Sequence, residues 1–219
     1  EFVGAFINLE GFKGGSSQAP KALEAIHDER VTWRYSASSS QFQRIPGKPI
    51  AFWIHEAVSK AFDGAPPFSD KCFSVKGLDT CDNAAFVRRW YEVSNLSIGF
   101  DVVDVSETKN SVKWYPYSKG GFYRKWFGNN EFVVNWENDG EVLRSLRDES
   151  GKMKSFPRSV GRYFTRGINF SAITSSDFSC RLMENSIFGG GGNAVFSNDT
   201  FLTLGFLNSS LVGLMTKAL

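Results

Sequence analysis

The residues best suited to chemistry lie between Lys113 and Gly140, in the run KWYPYSKGGFYRKWFGNNEFVVNWENDG. It holds Trp114, Trp126 and Trp136, three Tyr, the cations Lys113, Lys119, Arg124 and Lys125, and the pair Asn129-Asn130, broken by Gly120-Gly121 and Gly128. Rings interleaved with cations and amides, on a sharply turning backbone, suit the grip of a polyanion or a flat polar ligand. The alternative is a solvated hairpin whose rings fill a core. On that basis Trp114, Trp126 and Trp136 are expected in the core, and Asn138 and Asp139 in a turn.

Other chemistry is thinly represented. No Ser-His-Asp, paired-carboxylate or P-loop pattern stands out, and His27 and His55 with scattered Cys72, Cys81 and Cys180 do not make a zinc site. His55 is expected as a surface or packed side chain. Phe188-Gly189-Gly190-Gly191-Gly192 satisfies the F-x-G-x-G string of S-adenosylmethionine loops. Such a loop should open a helix upstream of Asn-Pro-Pro-Tyr, yet Pro66-Pro67 follows Ala65 rather than Asn. A flexible hairpin tip is therefore expected, and this chain alone is expected to hold no cofactor and catalyse nothing.

At 219 residues the chain suits one sizeable core, or one domain with an appendage, and its 21 Phe and 21 Gly favour strands with tight turns. No apolar run is long enough to cross a bilayer, and the N-terminus lacks a signal-peptide pattern. The cysteine usage fits a reducing, cytoplasmic setting. The net charge of +2 is unevenly spread: Lys113 to Arg166 carry 11 Lys/Arg against 6 Asp/Glu, the rest 14 against 17. The basic surplus thus coincides with the aromatic stretch, which raises nucleic-acid binding above a generic surface.

The elements that must position these residues follow in order. A strand or loop over residues 2–7 precedes a Gly-rich turn and a helix to Asp28, capped by Ser16 or Ser17 with Pro20 in its first turn. Val31 to Tyr35 alternate as a strand before a polar loop, Ser36 to Ser40. Pro49 opens a helix over 49–62 on the spacing of Ile50, Trp53, Ile54, Ala57, Val58, Ala61 and Phe62. Strands are expected over 71–76, 86–93, 98–105, 112–117, 131–136, 178–183 and 186–188, with a hairpin of 162–164 on 168–173 and a short helix over 141–148. Ser197-Asn198-Asp199 caps a final helix, 199–219, which ends without a C-terminal cap, as a truncated element would. The fold class is α+β: a twisted, mainly antiparallel sheet with hairpins and flanking helices. Residues 1–65 are expected as an N-terminal helical connecting lobe and 66–219 as the main domain.

Five stretches, IPGKPIAFW (45–53), KGLDTCDNAAFVRRWYEV (76–93), the 113–140 run, YFTRGINFSAITSSDFSCR (163–181) and LGFLNS (204–209), resemble the C-terminal part of the adenine-specific DNA methyltransferases of the BREX phage-defence system, the PglX family. The GLDTCDN turn also looks like the GxxTGxN element of related restriction–modification proteins, with Cys81 where Gly is usual. The resemblance implies a DNA target-recognition region that selects the sequence while an S-adenosylmethionine-dependent catalytic domain of the same parent chain methylates a flipped adenine. Double-stranded DNA, that catalytic domain and other phage-defence components are the implied partners.

Under that resemblance, Lys113, Lys119, Arg124, Lys125, Arg158, Arg162 and Arg166 are expected on phosphates, while Thr80, Asn83, Asn129 and Asn130 add polar contacts or order the turns. Base readers are expected in the segment from Arg144 through Arg147 and Lys152 to Lys154, and in the loop Thr174 to Asp177. Competing readings are a stand-alone specificity subunit or DNA-binding adaptor, and an aromatic platform for carbohydrate or protein. Salt dependence separates the last from DNA binding.

Overall fold

The computed structural model describes residues 2–64, 66–173 and 176–217. Two compact units emerge, one from the residues up to Pro66 with those from Ser210 onward, the other from Pro67 to Ser209. In the first, β1 (Val3–Ile7) pairs antiparallel with β2 (Arg34–Ser38) across the connecting helix α1 (Gly15–His27). Gly14, at φ 82°, takes the N-cap place expected of Ser16 or Ser17, and Pro20 lies inside the helix rather than in its first turn. The polar run read as a loop supplies β2 and the short α2 (Ser39–Gln43).

The helix expected over 49–62 shrinks to α3 (Glu56–Lys60). Its apolar spacing records burial without helical backbone. Ala51 packs on Ile45 with Ile54 and Phe62 around them, and Phe52 stacks on Phe6 at 4.9 Å. His55 has extended φ/ψ and accepts the Ala57 N–H through Nδ1, so it caps α3 and cannot lie within a longer helix. The terminal apolar run divides into α6 (Thr200–Leu207), capped by Asp199, and α7 (Ser210–Thr216). Among the described residues no helix is long and apolar enough to cross a membrane.

The second unit carries two four-stranded sheets. One is wholly antiparallel, with order β10 (Cys180–Met183), β9 (Gly167–Ser171), β12 (Gly192–Ser197), β3 (Cys72–Val75). The other runs β11 (Ile187–Phe188), β6 (Trp114–Ser118), β7 (Phe132–Asn135), β5 (Val87–Arg89), parallel only where β11 meets β6. A two-stranded ladder joins β4 (Leu78–Asp79) to β8 (Phe156–Pro157), and α4 (Asn83–Phe86), α5 (Glu137–Ser145) and α6 belong to the same unit. The α+β, mainly antiparallel class is as expected. Tyr115, Trp136, Tyr163, Phe164, Phe188 and Phe196 fill a common core, each worth about 1.5–3 kcal/mol or more if fully transferred from water.

Two expected strands are absent. Residues 98–105 make only a bridge from Ile98 to Trp114, because Asp104 turns its carboxylate onto Ser106 N–H and starts a 3-10 turn. Residues 162–164 leave a 3-10 turn instead of forming a hairpin arm, and β9 pairs with β10 and β12.

The glycine tract corrects its expectation most. Residues 188–192 are no hairpin tip: they carry the chain from one sheet to the other, largely buried. Gly189 N–H donates to Ser118 O at 2.9 Å and Gly190 N–H to Leu78 O at 3.0 Å, while Tyr117 Oη donates to the same Leu78 carbonyl at 3.0 Å. Burial raises the Tyr117 phenol well above its usual pKa. A Cβ at Gly77 would overlap the Phe188 carbonyl, and one at Gly192 would stand 2.5 Å from Gly120 N. Only backbone fits here.

The GLDTCDN turn shows why glycine suits its fifth position. Cys81 is exposed and left-handed at φ 64°, between Thr80, whose Oγ1 donates to Asn83 Oδ1, and Asp82, which caps α4. Replacing Cys81→Gly should raise unfolding free energy by about 1 kcal/mol, and Cys81→Val should lower it by a similar amount, in urea titrations.

Candidate nucleic-acid interface

Beyond β6 the backbone leaves the glycine crossing as Lys119-Gly120-Gly121 and forms a loop to Asn130. Gly121, Phe122, Arg124, Lys125, Trp126 and Asn129 of that loop are tied down by hydrogen bonds. Gly121 exchanges two hydrogen bonds with Ser171 Oγ, at 3.1 and 2.8 Å. Asn129, buried and left-handed at φ 60°, donates Nδ2–H to Phe122 O at 2.9 Å. Arg124 N–H donates to Ser179 Oγ, Trp126 N–H donates to Cys180 O, and Trp126 O accepts from Leu182 N–H. Lys125 Nζ donates to Asn208 O at 2.7 Å.

Arg181 lies behind this loop, 1% exposed. Its guanidinium donates to Arg124 O, Asn169 Oδ1, Ser171 Oγ and Ser179 Oγ, all neutral acceptors, while Nε has no partner among the described residues. Desolvation lowers its pKa. A buried cation without a carboxylate contact is costly, and its field is little screened.

In front of the loop lies a cleft of about 370 Å³ lined by Arg89, Lys119, Phe122, Arg124, Glu131 and Phe132, with backbone from Gly120, Gly121 and Asn129. Lys119 Nζ stands 5.2 Å from the Phe132 ring centroid and the Arg89 guanidinium 5.8 Å from it. Among the described residues none of Arg89, Lys119 and Arg124 is in an ion pair, so three cations face the cleft against Glu131 alone. Arg89 was not among the expected contacts; its β5–β7 pairing with Phe132 is a tertiary fact no local spacing reveals. A second cleft of about 310 Å³ shares Phe132 with the first and is lined also by Asn130 and Phe127.

The remaining expected residues are dispersed. Arg158 pairs with Asp79 at 2.8 Å, Arg166 with Glu184, and Arg144 with Asp139 at 3.0 Å. Arg144 also lies over the Trp136 ring and holds the left-handed run Asn138-Asp139-Gly140 at the start of α5. Arg162 sits over Phe73 and Phe196 beside Arg166, in a separate polar cleft of about 370 Å³. Arg147 donates to Arg144 O and Leu146 O, while Lys152 and Lys154 are exposed on the β-bridged turn that follows. Lys113 is exposed over Trp114. Thr80 is buried and bonded to Asn83, so these two order their turn as Asn129 orders its own. Thr174 and Ser175 lie outside the described residues.

Of the three tryptophans expected in the core, Trp136 is fully buried and Trp114 half-buried, but Trp126 is 54% exposed at φ 74°. Its backbone is spent on β10, so its ring faces outward with Phe122, Tyr123 and Phe127.

No protein-family model matches the chain. It is 31% identical over 95% of its length to an adenine-specific methyltransferase, PglX, of Lacticaseibacillus casei strain Zhang. It is 40% identical over 72% of its length to an adenine-specific methyltransferase, BrxX, of Escherichia coli O9:H4 strain HS. The chain spans 18% and 12% of the lengths of these relatives, so it is similar to one segment of each.

Asn129→Ala should cost about 2 kcal/mol in urea unfolding, from the lost bond to Phe122 O and the left-handed backbone, while Asn129→Gly should recover roughly half. Equal losses in the two variants would mean that the backbone conformation at this position is unstrained.

Proposed function

Taking the chain as related in sequence to a segment of the PglX and BrxX adenine-specific methyltransferases, we propose that it is the DNA target-recognition part of such an enzyme. In this reading residues 66–219 bind duplex DNA and select the sequence, and residues 1–65 connect them to the rest of the parent chain. A catalytic domain elsewhere in that chain, supplied with S-adenosylmethionine, would methylate adenine at N6. Phage defence, with further components of that system, is the setting the reading implies.

One observation carries it: Arg89, Lys119 and Arg124 share a cleft with an aromatic wall and no ion-pair partner among the described residues. Cations left unpaired, Arg89 on β5 and Lys119 and Arg124 on the braced loop, are free to release counterions from phosphates, and that release supplies much of a protein's affinity for a duplex. Arg158 and Arg166, already facing carboxylates, would have to exchange partners to do the same and contribute less. Arg162 and Lys113 extend the basic surface, and the Arg144–Lys154 and Thr174–Asp177 segments remain the proposed base readers. A platform for sugars is a second reading, favoured by the outward rings of Tyr123 and Trp126.

The test is duplex binding across salt concentrations. The triple variant Arg89→Ala, Lys119→Ala, Arg124→Ala should weaken all duplexes alike and flatten the log–log salt slope by about two to three units. Arg158→Ala with Arg166→Ala should change it by less than about one. An unchanged slope in the triple variant would remove the cleft from the interface, and salt-independent sugar binding without duplex binding would favour the platform.

A further inference from the structure

Phe122 is 93% exposed. Leu96 and Ile173 are exposed to the same degree, but neither lines the cationic cleft. Phe122 does, beside Lys119 and Arg124. Its carbonyl is held by Asn129 Nδ2, its preceding residue by Ser171 and Arg124, two residues on, by Ser179 and Arg181. A mobile loop can fold a large apolar ring onto any available surface. This backbone cannot, so the ring stays presented to water at the mouth of the cleft.

We infer that Phe122 is an apolar wedge that enters the base stack of a duplex held by Arg89, Lys119 and Arg124. The inference rests on the DNA-binding reading above and adds to it the residue that opens the helix. Two features of the site fit the role. Lys119 and Arg124 line the same cleft as the ring, so the cations that would hold phosphates and the ring that would enter the stack share one site, and cations there limit the repulsion a kinked backbone creates. The bracing means that the force of insertion is borne by Ser171 at the end of β9 and by Ser179 just before β10 rather than dissipated in the loop. Every base offers a ring face, so the contact itself is blind to sequence and leaves selection to other residues.

The test uses the 219-residue chain and two short labelled duplexes of the same sequence, one intact and one with a central abasic site. A duplex that already lacks a base spares the wedge the cost of unstacking. The unaltered chain should bind the abasic duplex about tenfold tighter than the intact one at low ionic strength. Phe122→Leu should keep that preference. Phe122→Ala should lose it, binding the abasic and intact duplexes equally. The side chain is exposed and its hydrogen bond is a backbone one, so the substitution leaves the fold intact. Equal affinity for the two duplexes, or a preference that survives Phe122→Ala, overturns the wedge and leaves the DNA-binding reading standing. Failure to bind either duplex overturns both.

Discussion

Backbone meets backbone where β4, β6 and the β11–β12 connection cross, and the rest of the larger unit depends on that contact. Gly77 lies against the Phe188 carbonyl and Gly192 against Gly120, with no room for a side chain at either place. The buried amides of Gly189 and Gly190 find acceptors on Ser118 and Leu78, and the Tyr117 hydroxyl shares the latter. An unpaired amide at such a depth would cost about 1–3 kcal/mol, so the two sheets are joined through a site that is fully bonded or fails. Ser118 and Ser186 add a hydroxyl pair and Asn169 grips Gly192 O.

From that crossing the chemistry-bearing loop departs with little freedom. Lys119 leaves directly from the end of β6, and Gly120 and Gly121 turn the backbone at φ 88° and 135° before Phe122 emerges. Arg181 behind it is an expensive choice: an apolar residue of similar volume would spare the desolvation of a guanidinium. Its return is positional and electrostatic. It ties the carbonyl of Arg124 to β9 and β10, and it adds a weakly screened positive charge beneath a cleft already lined by three cations.

Most of the sheet was legible in the sequence because β3, β6, β7 and β10 alternate or run apolar between turn residues, as Phe132–Asn135 does before Asn138-Asp139-Gly140. β12 is hidden in the sequence although it is the second strand from the edge of its sheet: Gly192 starts it, and a glycine tract reads locally as a loop. The Ile50–Phe62 stripe has helical spacing but serves a turn-rich cluster, since burial periodicity does not fix backbone conformation. At the site, Lys119 and Arg124 were visible from their aromatic neighbours. Arg89 was not, because strand register brings it to Phe132 across 43 positions of sequence. The polar side chains Thr80, Asn83 and Asn129 have residue types common to contacts and turns, and their hydrogen bonds show them holding turns.

The Trp126 backbone has a further consequence. By accepting from Leu182 and donating to Cys180, it occupies hydrogen-bonding positions on β10, the outermost strand of its sheet. An open strand there would be a template for pairing with other chains, and the loop shields it. The segment that presents the cationic cleft is therefore also a guard against self-association. Any substitute for this loop would need the same left-handed residue opposite Arg181, because the backbone path is set by its bonds to β10.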